Sequence, residues 1–203
     1  MKNIIITIGR EYGSGGKFIG ESVAKKLDIP FYDKNILVEA AKNNKVNLGK
    51  LEELDEKYRS DFYKKLELLN FNNLNNNLSS DIIEYYISKE IKNLALKGSC
   101  VILGRNSNNI LKDRDNVINI FIYSNNLEFK LKRKMQLENM NREETLKRLN
   151  FVDKERKRFY ESFDSNLKWG SKSDYDYLID SSILGIDETI NLIVDIYNKL
   201  EKQ

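Results

Sequence analysis

The sequence predicts an α/β fold built on a parallel sheet. Short, continuously apolar runs recur along the chain, helical stretches separate them, and a glycine-rich loop joins the first run to the first helix. Strands buried on both faces read as unbroken apolar runs, and their alternation with helices is the pattern of a parallel sheet. With 203 residues the chain is expected to be one domain spanning 1–203.

Ile4–Ile8 reads as the first strand. A helix follows over Lys17–Leu27, with Phe18, Ile19, Val23, Ala24 and Leu27 on one face and Gly20 among them. Asp28-Ile29-Pro30 stops it, because Pro30 biases Ile29 away from helical geometry. Phe31-Tyr32 makes a short second strand. Residues 42–80 read as a polar helical insert whose end, FNNLNNNLSS (71–80), is an Asn-rich connection of low complexity. A helix from about Asp81 to Leu96 is capped by Ser79 or Ser80 and stops at Gly98. Cys100–Leu103, Val117–Tyr123 and Tyr175–Ile179 are the remaining strands. The last helix starts near Asp187 and aligns Ile190, Ile193, Val194, Tyr197 and Leu200.

Composition removes several function classes. No histidine is present, so no imidazole base, His-containing triad or His-ligated metal is available. The single cysteine, Cys100, excludes an intrachain disulfide and reads as a small buried hydrophobe. The N-terminal apolar run of five residues is too short for a signal-peptide core or a membrane span, and the expectation is a cytoplasmic protein with no membrane partner. A net charge of +3 is too balanced to announce a nucleic-acid binder, and no nucleic-acid partner is expected. The charge is local, however. Residues 130–158 carry eleven Lys or Arg against five Asp or Glu, which gives the molecule a directed positive field.

The loop after the first strand, Gly9-Arg10-Glu11-Tyr12-Gly13-Ser14-Gly15-Gly16-Lys17, is the most specific feature. Glycines let a backbone adopt positive φ and point several N–H groups into one concavity, a nest for phosphate oxygens. The helix N-terminus adds partial positive charge, and Lys17 adds a full one. A plain strand-to-helix turn needs fewer glycines than Gly13, Gly15 and Gly16 supply. The loop departs from G-x-x-x-x-G-K-[ST]: with Lys17 as the phosphate lysine, Glu11 stands at the first glycine and Phe18 at the magnesium hydroxyl.

The stretch GREYGSGGKFIGESVAKKLDIPFYDKN resembles the opening of the cytidylate kinase-like P-loop proteins. The resemblance continues through VILGRN (101–106), KRKMQL (132–137), VDKERKRFY (152–160) and WGSKSDYDYLIDSSILGI (169–186). It implies a three-layer α/β/α P-loop NTPase fold with a central five-stranded parallel sheet and a helical, Arg/Lys-rich lid at about 138–170. Aligned without gaps, it puts Gly16 at the usual lysine position, Lys17 one later and Phe18 at the metal-binding hydroxyl, with Ser14 as the substitute metal candidate.

Arg105 ends a buried strand at its carboxyl edge, where ligands of open α/β sheets bind, and could grip an acceptor phosphate in bidentate fashion. Asp33 ends the second strand; the resemblance places it in the acceptor pocket, while by itself it reads equally as a helix N-cap. Glu39 stands where the resemblance expects an acceptor-binding arginine. Asp153-x-x-Arg156 matches the lid motif, in which an aspartate orients an arginine onto the transferring phosphoryl. Arg133 is a further phosphate candidate, and Arg158 reads equally as a solvated basic residue. Leu149 replaces a lid arginine, with Arg148 beside it, and Trp169 reads as an anchor for the lid's return. The expected function is transfer of the ATP γ-phosphoryl, with Mg²⁺, to a small acceptor, most simply a nucleoside monophosphate such as CMP. A nucleotide-binding regulatory protein on the same fold is the alternative. On the first reading Gly13, Ser14, Gly15, Gly16, Lys17 and Arg133 hold the donor, Asp33 and Arg105 the acceptor, and Lys17, Arg156 and Asp153 serve transfer.

Overall fold

The computed structural model describes residues 3–33, Ile36 and 80–202. Its strands are β1 (Ile5–Arg10), β2 (Phe31–Tyr32), β3 (Cys100–Leu103), β4 (Val117–Tyr123) and β5 (Tyr177–Asp180). They pair in parallel in the order β2-β3-β1-β4-β5. The helices are α1 (Gly16–Leu27), α2 (Ser80–Lys97), α3 (Ser107–Ile110), α4 (Leu127–Glu138), α5 (Arg142–Glu161), α6 (Ser181–Leu184) and α7 (Ile186–Glu201).

The two-residue period of β1 builds the three layers. Ile4, Ile6 and Ile8 face one side and pack with Val23 and Ala24 of α1 and Ile193 and Tyr197 of α7. Ile5 faces the other side, with Ile87, Ile91 and Leu94 of α2 and with Cys100 and Ile102 of β3. Burying each such isoleucine is worth about 1.5–3 kcal/mol, which is why the central strand tolerates so little polarity. Its one polar interruption is matched: Thr7 pairs with Asn119 of β4, and Thr7 Oγ1 donates to Asn119 Oδ1 at 2.7 Å.

Three expectations shift. β1 runs on to Arg10, because its pairing with β4 continues through Arg10 and Ile122. β5 begins at Tyr177 and not Tyr175, whose ring turns into an aromatic cluster 5.0 Å from Phe121. The basic stretch is two helices broken at 139–141. Asn139 closes α4 with φ +50°, and Asn141 opens α5 in a reciprocal capping box with Glu144. The expected insert lies outside the described residues except for Ser80, the first residue of α2, and so do Glu39 and Ser79.

All five strands point their carboxyl ends to one edge of the sheet. That edge collects the loop after β1, Asp33 after β2, Gly104-Arg105-Asn106 after β3, and Asp180 closing β5.

Candidate functional site

The loop from Glu11 to Gly15 is held open by two left-handed glycines, Gly13 at φ +85° and Gly15 at φ +84°. Gly13 is required twice over, since a Cβ there would lie 2.7 Å from Lys130 Cβ of α4. Outside the loop, Glu11 Oε2 accepts from Lys130 Nζ at 2.9 Å and from the Ser124 amide at 3.1 Å. Ser181 Oγ lies 2.7 Å from the Ser14 carbonyl and 3.1 Å from that of Tyr123. Thus fixed, the loop leaves the amides of Gly13, Ser14, Gly15, Lys17 and Phe18 with no hydrogen bond among the described residues. Several unpaired N–H groups at the start of α1 form an anion nest.

Ser14 does not point outward. Its buried hydroxyl donates to the Glu11 carbonyl at 2.9 Å and accepts from the Gly16 amide at 3.4 Å, so the side chain serves the loop itself.

Over the nest lies a cleft of about 150 Å³ lined by Arg10, Lys17, Arg133, Lys134 and Arg156, with Glu11 as its one carboxylate among the described residues. Arg133 stands above Phe18, its guanidinium carbon 5.9 Å from the ring centroid, and has no carboxylate partner among the described residues. Burial holds the Arg133 pKa below the usual arginine range. Phe18 is 51% exposed at the mouth of the cleft.

The segment expected to be a lid is tied directly to the loop. Asp153 Oδ1 accepts from the Tyr12 amide at 2.6 Å, and Arg156 Nη1 donates to the Arg10 carbonyl at 3.1 Å. The Asp153–Arg156 pair itself is longer, 3.5 Å, so Asp153 fastens α5 to the loop at least as much as it orients the arginine. Burial raises the Asp153 pKa, while Arg156 and the Tyr12 amide pull it back down. Leu149 packs with Tyr12 and Leu131, a core role that excludes the arginine expected there. Arg148 does not substitute, since its Nε is 3.2 Å from Tyr12 Oη and 3.1 Å from Glu138. Arg158 is exposed on the outer face of α5 and stays away from the cleft. Trp169 packs edge-on to Phe121 of β4 at 5.2 Å, fixing the chain after α5 to the sheet.

Lys17 and Asp33, assigned from the sequence to opposite substrates, meet. Lys17 Nζ is 3.0 Å from Asp33 Oδ2 and 3.6 Å from Glu21 Oε1, and the hydrogen bond to Asp33 is the main cause of its raised pKa. The Lys17 ammonium is therefore drawn toward the β2 end of the edge, while the residue still lines the cleft. Arg105 has φ +57° and lies 6.0 Å from the Phe159 ring centroid.

Arg10 is the residue that sequence reasoning missed. It is given no role in the glycine motif, yet it lines the cleft, and its Nε is buried with no hydrogen-bond partner. Burial, then the neighbouring charges of Arg156 and Arg105, push its pKa down. An arginine two residues beyond the apolar run Ile4–Ile8, at the carboxyl end of the central strand, was the available signal.

The donor set fits a polyphosphate: unpaired amides, a cationic lining and an unpartnered guanidinium nitrogen. It does not fit a magnesium ion held by side chains. No three His, Cys, Asp or Glu cluster to hold a metal among the described residues, and Glu11, Asp33 and Asp153 are each engaged with a cation.

A sheet ordered β2-β3-β1-β4-β5, with a glycine loop leading from its central strand into α1, is the three-layer α/β/α fold of the P-loop NTPases. The cytidylate kinase-like family model matches residues 5–183, and the chain belongs to that family. An uncharacterized protein from Eubacterium ventriosum ATCC 27560 is 27% identical at a TM-score of 0.72, with 96% of this chain and 98% of that one covered. Shikimate kinase from Bacteroides thetaiotaomicron shares the fold at 14% identity and TM-score 0.53, covering 100% of both chains. A gluconokinase from Sinorhizobium meliloti 1021 does so at 11% identity and TM-score 0.52, covering 99% of this chain and 97% of its own. No curated protein matches the sequence. No helix of the described residues is long and apolar enough to cross a membrane.

Proposed function

We propose that the protein is a nucleotide kinase that moves the ATP γ-phosphoryl to a small acceptor, most simply the phosphate of a nucleoside monophosphate such as CMP. The observation that carries this reading is the set of unpaired loop amides under a cleft lined by five cations and one carboxylate. Family membership and the fold support it.

In this reading the amides of Gly13, Ser14, Gly15, Lys17 and Phe18 hold the donor phosphates, with Ser14 contributing its backbone only. Arg133 and Arg156 face them from α4 and α5. The acceptor sits at the carboxyl edge near Arg105, Asp33 and Lys17. An acceptor phosphate oxygen attacks the γ-phosphorus while the bond to the bridging oxygen breaks and its electron pair leaves with ADP. A phosphate nucleophile is already ionised at neutral pH, so no general base is needed, consistent with a chain that has no histidine. Positioning and charge neutralisation then supply the catalysis. Magnesium would enter with ATP and stabilise charge on the triphosphate; no side chain is assigned to it.

Two observations favour a second reading, a nucleotide-binding regulator with little turnover: Phe18 fills the register of the metal-binding hydroxyl, and Ser14 Oγ is used inside the loop. Both readings require a phosphate site, which calorimetric titration with ATP, tripolyphosphate and adenosine tests. ATP and tripolyphosphate are expected to compete and adenosine to bind far more weakly. Equal affinity for ATP and adenosine, with no binding of tripolyphosphate, removes both readings.

A further inference from the structure

We infer that Arg10 is the side-chain cation of the transfer point, occupying the role that a lysine at position 16 would otherwise take. The inference rests on the kinase reading above and names a residue which that reading leaves unassigned. Three observations carry it.

The first is steric. Position 16 is glycine because Arg10 already fills its side-chain space: a Cβ on Gly16 would lie 2.6 Å from Arg10 Cβ and 3.1 Å from Arg10 Cγ. The stem of Arg10 thus passes over the first residue of α1, the place from which a lysine would extend. The second is reach. Arg10 Nη1 abuts Gly104 so closely that no side chain fits there, and Gly104 has the left-handed φ of +71° that suits glycine. One side chain therefore runs from the donor loop to the β3 end, beside Arg105, which is where γ-phosphoryl and acceptor must meet. The third is its state. Arg10 Nε is buried without a partner, and the charges acting on the group are those of two more guanidinium groups, Arg156 and Arg105, against the carboxylate of Asp33. Lys17 does not fill the role, since its ammonium is engaged with Asp33 and Glu21.

A guanidinium with a buried, unpartnered nitrogen, repelled by two like charges and only partly offset by Asp33, works against the empty protein and is relieved by an anion. Arg10 would form no covalent bond and move no proton. Its guanidinium would bridge a γ-phosphoryl oxygen and the acceptor phosphate, as a planar fork does well.

The test is Arg10→Met, which keeps the stem over Gly16 and removes the charge, beside Arg10→Lys. Melting temperature without ligand, calorimetric affinities for ATP and ADP, and turnover are read for each. The expected result for Arg10→Met is an unchanged or higher melting temperature, an ATP affinity lower by about 10–100-fold, little change for ADP, and lost turnover. Arg10→Lys should recover part of the ATP preference. A lowered melting temperature with parallel loss of ATP and ADP overturns the inference, because Arg10 is then a structural residue. So does full ATP affinity in Arg10→Met, with wild type binding normally. If wild type binds neither nucleotide, the kinase reading itself fails, and that result is distinct from the other two. A swap, Arg10→Gly with Gly16→Lys, should bind ATP better than Arg10→Gly alone; no gain contradicts the shared-space argument.

Discussion

Replacing Gly15 by alanine disturbs the phosphate loop in two ways that a second substitution separates. Gly15 precedes α1 at φ +84° and ψ −3°, a left-handed conformation that costs an L-residue about 1–2 kcal/mol. Its new Cβ would also strike Ile186 Cδ1 of α7, the overpacking of a tight contact, worth about 1–3 kcal/mol. Together these give a loss of about 2–5 kcal/mol, and at about 2–4 °C per kcal/mol for a chain of this size the melting temperature should fall by about 4–20 °C. Ile186→Val deletes the struck methyl and by itself costs about 0.5–1.5 kcal/mol. In that background Gly15→Ala should cost only the backbone strain, so a double-mutant cycle by urea denaturation should show favourable coupling. ATP-induced stabilisation should be reduced in both backgrounds, because relieving the strain turns the loop amides out of the nest. A Gly15→Ala protein as stable as wild type, with full ATP stabilisation, would refute the loop geometry and the donor site with it.

Further outcomes follow from the same geometry. Lys17→Met and Asp33→Asn should act alike, raising the KM for the acceptor more than the KM for ATP, since the two side chains form one pair 3.0 Å apart; a selective loss of ATP affinity in Lys17→Met contradicts this. Arg156→Ala should lower kcat by about 10²–10³ with a smaller effect on ATP affinity, and Asp153→Asn should do so more mildly; full turnover in Arg156→Ala leaves α5 a merely structural helix. Burial pushes the Cys100 thiol up to about 12, so it stays protonated and the native protein should resist iodoacetamide at pH 8. Rapid labelling without unfolding would contradict its place between β1 and α2.

The sheet was legible because strands buried on both faces must be almost wholly apolar, and Ile4–Ile8, Cys100–Leu103 and Val117–Tyr123 meet that demand apart from Thr7 and Asn119, which satisfy each other. The glycine loop was legible for a similar local reason, since positive φ leaves few choices of residue. What escaped was set across long sequence separations. Nothing near Tyr12 announces that its amide will meet Asp153, 141 residues away, or that Ser181 will hold the Ser14 carbonyl. The pairing of Lys17 with Asp33 depends on β2 bringing the chain back to the edge at which α1 begins. Arg10 was hidden for a different reason: a cation that reaches the space above Gly16 from six residues earlier leaves no mark in the loop's own spacing, whereas Lys17 stands next to it. The break between α4 and α5 had a local signal, Asn-x-x-Glu at 141–144, which the charge of the stretch overshadowed.

Whether the molecule turns over, and does not merely hold nucleotide, is decided by following γ-labelled ATP with a panel of nucleoside monophosphates and other small phosphorylated acceptors, with and without Mg²⁺. The kinase account predicts label in the diphosphate of at least one nucleoside, dependent on Arg156 and Arg10. Label that stays in ATP, or leaves only as inorganic phosphate whatever the acceptor, contradicts it and gives the site to a regulator.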